Sequence, residues 1–486
     1  MNRRTFLKSS ALAAGAGLLS RSSSPAWAQP LGANDAVRVA VIGINNKGAG
    51  HIKQLKKIPG ARIVALCDVD PAVLAREVES LKQDKVNVFA TTDARRLMDR
   101  PDIDAIVIAT SNHWHALLTA WGCQAGKDVY VEKPVSHSVW EGRKMVEAAA
   151  RYGRVVQAGT QTRSDRGILE FIPYLRAGHL GKVHSIHALF YKERESIGNR
   201  LPRYPKGLDY DLYSGPAPME PLVRNELHYD WHWFWSTGNG DLGNIGIHVF
   251  DLARWLAGHE SPPRRVLSLG GRFVIEDSGE TPNSQLTIFD YPDVPIVLEN
   301  RGLPSRPGSD TMDQVHGLRS GVIVKCDGGY FAGHRGGWVY DHDGRRMKAF
   351  PGDGGGGHMP NFIEAVRNRR PQDLAAPIEV GHASTSAPLM GNISYRLGRR
   401  GTLADARNAL ADQPFAREHL ERFQKHLAAH GVNSEQPRLT LGPWIEVDRE
   451  GDGISQVQNG DSAGLDRARF LLKETQRPPY VIPERV

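Results

Sequence analysis

A chain of 486 residues with 24% charged side chains is long enough for two or three globular domains. Its formal charge of +7 falls to +3 once Arg3, Arg4, Lys8 and Arg21 are set aside, and no basic stripe interleaved with aromatics runs along it, which excludes a nucleic-acid partner. Cys67, Cys123 and Cys326 are isolated, so they form neither a disulfide framework nor a cysteine metal knuckle, and no residue is assigned to a metal.

The first 28 residues read as a leader. N-R-R-T-F-L-K from Asn2 has the pattern of a twin-arginine signal, the apolar residues 11–19 are too few to span a bilayer, and Ala26-Trp27-Ala28 is a small-x-small cleavage site. The expected product is a periplasmic or secreted protein that is exported folded, with no transmembrane segment in the mature chain.

Residues 29–160 read as a dinucleotide-binding domain. V-R-V-A-V-I at residues 37–42 is a strand, and it runs into a glycine turn containing Gly43, Asn45, Asn46, Lys47 and Gly48. In a G-x-G-x-x-G turn the first glycine shapes the bend, the second admits the pyrophosphate and the third lets helix and strand approach. Asn45 replaces the second, and asparagine tolerates left-handed backbone provided its side chain points aside. Residues 61–67 form a second strand ending at Asp68, a carboxylate placed to receive ribose hydroxyls, which favours NAD, with NADP as the alternative. A third strand, residues 103–110, delivers Thr110, Asn112, His113 and His115 to the cofactor end. A fourth, from residue 128, ends in Glu132, Lys133 and Pro134. Proline holds Lys133 out of helical dihedrals, leaving its ammonium at the strand tip, where it could meet a substrate oxygen beside the nicotinamide.

Residues 161–486 change texture. A helix at 167–177 is followed by strands at 184–190, 265–275, 285–289, 296–300, 321–326 and 337–340, separated by turns, so a mostly antiparallel sheet with one open face is expected, behind a doubly wound first domain. Between the first two strands, residues 204–235 are too long and irregular for a connector. Their Tyr, Trp and His density suits a carbohydrate, with His228, Trp231 and His232, and Tyr191 before them, as substrate-binding candidates. S-T-G-N-G-D-L-G-N-I-G-I-H then puts Asn244 four residues before His248, a spacing that shares a helical face. His248 is the best candidate base, because an imidazole titrates near neutrality. His358 opens a helix after four glycines and either closes the pocket or caps that helix. Another helix is expected at 383–395, and the last ninety residues are expected to wrap the domains.

The combination of C-D-V-D at Cys67, A-T-S-N-H-W-H ending at His115, V-E-K-P ending at Pro134, A-G-T-Q ending at Gln161 and G-D-L-G-N-I-G-I-H-V-F-D ending at Asp251 resembles the Gfo/Idh/MocA family, named for glucose-fructose oxidoreductase, inositol dehydrogenase and rhizopine catabolism. The resemblance implies an α/β Rossmann-like domain followed by an α+β domain with a large open sheet, a homo-dimer or homo-tetramer, and NAD(P)-dependent oxidation of a secondary hydroxyl of a sugar, glycoside or cyclitol. It also implies Lys133 on the reacting oxygen and His248 as acid/base. Many members carry Asp where this chain has Asn244, and an amide orients without stabilising an imidazolium by charge, which turns attention to Asp241. Export adds a constraint: where free NAD is scarce, the cofactor must be held and regenerated in place. The resemblance implies two ways of doing so, net transfer to a second substrate, or redox-neutral glycoside cleavage by transient oxidation. A carbohydrate-binding protein without catalysis is the third reading.

Overall fold

The computed structural model describes residues 36–458, 460 and 462–486, so the expected leader, residues 1–28, lies outside the described residues. Strand β1 (Val37–Ile42) is aliphatic almost throughout and buried on both faces, as the interior of a parallel sheet requires. Around it β2 (Ala61–Cys67), β3 (Phe89–Thr91), β4 (Ala105–Ile108), β5 (Asp128–Val131) and β6 (Val156–Ala158) form a six-stranded parallel sheet in the order β3-β2-β1-β4-β5-β6. The expected third and fourth strands are therefore the fourth and fifth. Strand β3 escaped the reading because three residues, F-A-T, are too few to show a period.

Local chemistry sets the helix ends. Asp70 caps the helix Pro71–Gln83 by accepting from the main-chain N–H of Ala72 and Val73, with Pro71 in the first turn. Ser138 and Glu141 form a reciprocal capping box on Val139–Tyr152, which ends at Gly153 in the left-handed region. The strand order reverses between β1 and β4, opening a crevice at the strands' carboxyl ends.

The second sheet contains β7 (Val183–Tyr191), β8 (Arg265–Gly271), β9 (Ser284–Asp290), β10 (Ile296–Arg301), β11 (Ser320–Cys326), β12 (Gly329–His334), β13 (Gly336–Tyr340), β14 (Arg346–Pro351), β15 (Arg399–Gly401), β16 (Leu439–Leu441), β17 (Ile445–Val447) and β18 (Ile454–Val457). Ten of them lie in the order β14-β13-β12-β11-β7-β10-β9-β8-β16-β15, with β17 bridging β8 and β18. The pairing is antiparallel except between β7 and β10. Helices Arg166–Arg176, Ile247–Ala257 and Ile378–Arg396 cover one face, where Phe171, Phe250 and Leu298 are fully buried.

Part of the other face is covered. Over β8 to β10, Leu267, Leu269, Leu286, Ile288 and Val297 are sealed by Leu403, Leu420, Phe423 and Leu427 from the helices Leu403–Ala409 and Arg417–Ala429. The carboxyl-terminal region thus supplies a cover that a bare open sheet would lack, and Tyr480, Ile482 and Val486 at its end pack into the core of the first sheet. All three cysteines are buried free thiols, and no helix among the described residues is long and apolar enough to cross a membrane. Phe423→Ala, which empties a fully buried ring site in the cover, is expected to lower unfolding stability by about 3–5 kcal/mol, measured by denaturant titration.

Candidate active site

The loops at the carboxyl edge of the first sheet enclose a cavity of about 350 Å³. One wall comes from the turn after β1, the ends of β2, β4 and β5, and the start of the helix Asn112–Gln124. The opposite wall is Leu212 and Tyr213 with Leu227, His228, Tyr229, Trp231 and His232 of the aromatic segment, and Asn244, Ile245 and His248 complete the lining.

The glycine turn is built as its spacing implies. Gly43 sits at φ +77°, and a Cβ there would lie 2.7 Å from the Ala109 carbonyl oxygen. A Cβ on Gly48 would lie 1.8 Å from the Gly43 carbonyl oxygen, so Gly48 works beneath the turn and does not line the cavity. Asn45, Asn46 and Lys47 do. The Asn45 amide is held aside, its Oδ1 accepting from Arg76 Nη2 at 3.0 Å. The Asp68 carboxylate accepts from the main-chain N–H of Ile44 at 2.9 Å and of Asp70 at 3.0 Å. Burial raises its pKa from the usual carboxylate value, opposed by those two hydrogen bonds. Each oxygen keeps a lone pair for a ligand.

Thr110, Asn112 and His115 line the cavity. The rings of His115 and His113 are engaged by main chain. His115 contacts the carbonyls of Pro134 at 2.7 Å and Thr110 at 3.1 Å, tying two loop ends together. His113 does not line the cavity; it turns away to the carbonyls of Tyr213 and Thr237. Asn112 is 1% exposed, and neither its amide oxygen nor its nitrogen has a partner among the described residues. Both ends of this amide, on the wall of the cavity, keep their hydrogen-bonding capacity unused.

Glu132 and Lys133 stand at the tip of β5. The Glu132 carboxylate accepts from Gln161 Nε2 at 2.9 Å, faces His51 Nε2 at 2.8 Å and Lys47 Nζ at 3.4 Å. Burial favours its neutral form, but Lys47, His51 and Lys133 together hold it well below the usual range. Lys133 donates to the Asn244 carbonyl at 2.7 Å, and burial lowers its ammonium to about 8 against the pull of Glu132. His248 lines the same cavity, its imidazole driven well below its ordinary value by burial and then by the charge of Lys133. It is neutral at physiological pH and able to accept a proton.

Besides Gly48, four expected site residues lie elsewhere. Asp241 is buried behind the wall in a two-pronged ion pair with Arg194, at 2.6 and 3.0 Å, so it is committed to that guanidinium and offers no proton path to His248. Tyr191 projects from β7 to Glu299 Oε2 at 2.6 Å, away from the cavity. His358 is buried between Ser164 Oγ and the Ala158 carbonyl, both at 2.8 Å; it opens the helix His358–Asn368 without capping it by its side chain and does not line the cavity, so neither expected role is filled. His113 is the fourth. Asn244 lines the cavity from the π-helical turn Leu242–Gly246, and its main-chain carbonyl is the acceptor of Lys133. His228, Trp231 and His232 do line the cavity. His228 is paired with Asp70 at 2.9 Å, and His232 Nδ1 donates to the Tyr229 carbonyl at 2.7 Å. Reasoning from the sequence missed Tyr213, Trp114 and Arg194. Trp114 was visible inside S-N-H-W-H, whereas nothing in K-E-R-E marked Arg194.

These features define a dinucleotide-binding domain joined to a mixed-sheet domain, with an ionisable pair where the two meet. Two segments of the chain match models of the Gfo/Idh/MocA oxidoreductase family. Residues 37–160 match its NAD-binding Rossmann fold model, and residues 190–267 match its C-terminal alpha/beta domain model. A glycosyl hydrolase family 109 protein 2 from Shewanella sp. (strain ANA-3) is 31% identical over 218 residues, covering 40% of this chain and 48% of the relative. Myo-inositol 2-dehydrogenase from Thermotoga maritima is 27% identical over 244 residues, covering 50% and 61%. The chain thus spans about half the length of the curated relatives it matches. The WlbA dehydrogenase of Bordetella pertussis, solved with NADH and UDP-GlcNAcA, shares the fold at a TM-score of 0.54 and 17% identity, over 72% of this chain and 94% of that one. Gly43→Val is expected to abolish nucleotide binding, because the new side chain meets Ala109 and Thr110 main chain; titration with NADH followed by fluorescence checks this.

Proposed function

We propose that the protein is an NAD-dependent oxidoreductase acting on a secondary hydroxyl of a sugar, glycoside or cyclitol, with a retained and recycled cofactor. One observation carries the reading: the Lys133 ammonium and the His248 imidazole line one cavity with the glycine turn and Asp68. The wall fits a dinucleotide. Gly43 to Lys47 would hold the pyrophosphate, Asp68 the ribose hydroxyls, and the unpaired Asn112 amide a polar group of the ligand. The Asp68 charge repels a 2′-phosphate, which favours NAD over NADP. Bound there, the nicotinamide supplies a hydride acceptor.

The chain's own residues handle the proton and the oxygen. Lys133, held by the Asn244 carbonyl, donates to the substrate oxygen and meets the charge that develops there. His248, neutral and beside it, takes the hydroxyl proton. The aromatic wall presents Trp231 to the apolar face of a sugar. The leader motif extends the reading to a protein exported by the twin-arginine route to a compartment poor in free NAD, and assembly into a dimer or tetramer belongs to the same proposal.

A second reading, redox-neutral glycoside cleavage, has support from the glycosyl hydrolase family 109 relatives. It needs another proton carrier, and Tyr229 and His232 on the cavity wall supply candidates. Incubation with a glycoside panel in heavy water separates the two. Net oxidation gives NADH absorbance, whereas cleavage gives aglycone and solvent deuterium in the sugar with no net NADH.

Lys133→Ala is expected to lower turnover by about 10²–10⁴-fold while nucleotide stays bound; unchanged turnover overturns its role. The pH dependence follows from the two groups. With Lys133 near 8 and needed as ammonium, kcat/KM declines as pH rises through about 8. With His248 well below 6.5 and needed neutral, activity persists as pH falls through 6.5.

A further inference from the structure

The wall of the cavity opposite the glycine turn has little regular structure of its own. Between β7 and the π-helical turn it consists of one short helix, Tyr210–Ser214, and one 3-10 turn, Asp230–Trp233, in some fifty residues of irregular chain. Leu212 and Tyr213 belong to that stretch and face the nucleotide side of the cavity. Such a wall stays in place only if something outside it holds it.

Two sets of contacts do so. From the nucleotide domain, Trp114 Nε1 donates to the Tyr213 carbonyl at 3.0 Å, and Asp70 pairs with His228. From the far end of the chain, Arg477 grips the same stretch. Its Nη1 donates to Asp211 Oδ1 at 2.6 Å and its Nη2 to the Asp211 carbonyl at 2.8 Å. Its Nε reaches the carbonyls of Gly215 at 3.1 Å and Ala217 at 3.2 Å, and its main-chain N–H donates to Pro216. Tyr480 adds its hydroxyl to Asp211 Oδ2 at 3.1 Å. A planar guanidinium is suited to this, because its donors diverge in a fixed fork and reach several acceptors at once.

The tail bearing Arg477 is itself rooted in the nucleotide domain. Gln476 Nε2 donates to Glu141 at 2.7 Å, Lys144 donates to the Glu484 carbonyl at 2.8 Å, and Tyr480, Ile482 and Val486 are buried in the first-sheet core. The Tyr480 ring stands edge-on to Trp114, with centroids 5.4 Å apart. On its other contact Trp114 meets Gly215, where a Cβ would fall 2.2 Å from the indole. The tail, Trp114 and the wall therefore lock as one unit.

We propose that the carboxyl-terminal tail is a strap that holds this wall shut over the nucleotide, with Arg477 as a positioning residue that acts through Asp211 on Leu212 and Tyr213. The proposal rests on the reading of the cavity as an NAD site and adds what keeps NAD there through turnover. Asp211 is more than half exposed, so its ion pair adds little to global stability. Its loss should register as local opening.

The test uses the full chain and two readouts. In Arg477→Ala, hydrogen exchange of main-chain amides in residues 208–217, followed by mass spectrometry, is expected to quicken about tenfold, with the core strands unchanged. Dissociation of NADH, chased with excess NAD and followed by fluorescence, is expected to quicken by a similar factor. Asp211→Asn should move both readouts in the same direction, and Arg477→Lys, which keeps the charge without the fork, should fall between. Unchanged exchange in 208–217 for Arg477→Ala and Asp211→Asn overturns the strap. Faster exchange with unchanged NADH dissociation overturns its role in retention. If the wild-type chain binds no NADH, the proposed function falls, and so does the strap's role in retention.

Discussion

A buried carboxylate needs partners, and the cavity is arranged around the one at Glu132. A charge taken out of water is tolerated only where nearby opposite charge and hydrogen bonds replace its hydration. Glu132 finds them in Lys47 and His51 on the first helix and in Gln161 beyond β6. Two segments distant in sequence are thereby fixed to the tip of β5. The next residue is Lys133, whose ammonium would be lowered further by its burial if Glu132 were not beside it. One carboxylate therefore positions the glycine turn, the strand end and the lysine together, and tunes the last.

The same rule explains a cluster on the covered face of the second sheet. Glu299, His187 and His419 lie close enough to suggest a metal centre. Arg301 already pairs with Glu299, and Tyr191 donates to it. Arg422 Nη2 donates to Nδ1 of His419 at 2.8 Å and of His187 at 3.4 Å, which puts the proton of each neutral ring on Nε2. The cluster is an ion and hydrogen-bond network under the helix Arg417–Ala429, and it explains why Tyr191 is spent on the sheet.

Asn244 illustrates how the second domain adapts. A carboxylate at that position could have partnered His248, but the π-helical turn instead aims the Asn244 main-chain carbonyl at Lys133. The ammonium gains an acceptor without a new charge in the cavity. Asp241, the nearest acid in sequence, is neutralised by Arg194 and stiffens the wall behind His232, 4.0 Å away.

By itself the sequence determined the glycine turn and the strand ends of the first domain. A parallel strand buried on both faces has to be a continuous aliphatic run, and a turn that approaches a neighbouring strand has to contain glycine, so β1, Gly43, Gly48, Asp68 and the tip of β5 were all legible. These constraints act between residues close in sequence. Tertiary structure alone decided which side chains of the second domain reach the cavity. Tyr191, Asp241 and His358 have the right chemistry, but each is captured by a partner from a distant segment: Glu299, Arg194 and the Ala158 carbonyl. The grip of Arg477 on Asp211, across 266 residues, and the cover over β8 to β10 belong to the same class. No local period encodes them, because such contacts exist only once the chain has closed on itself.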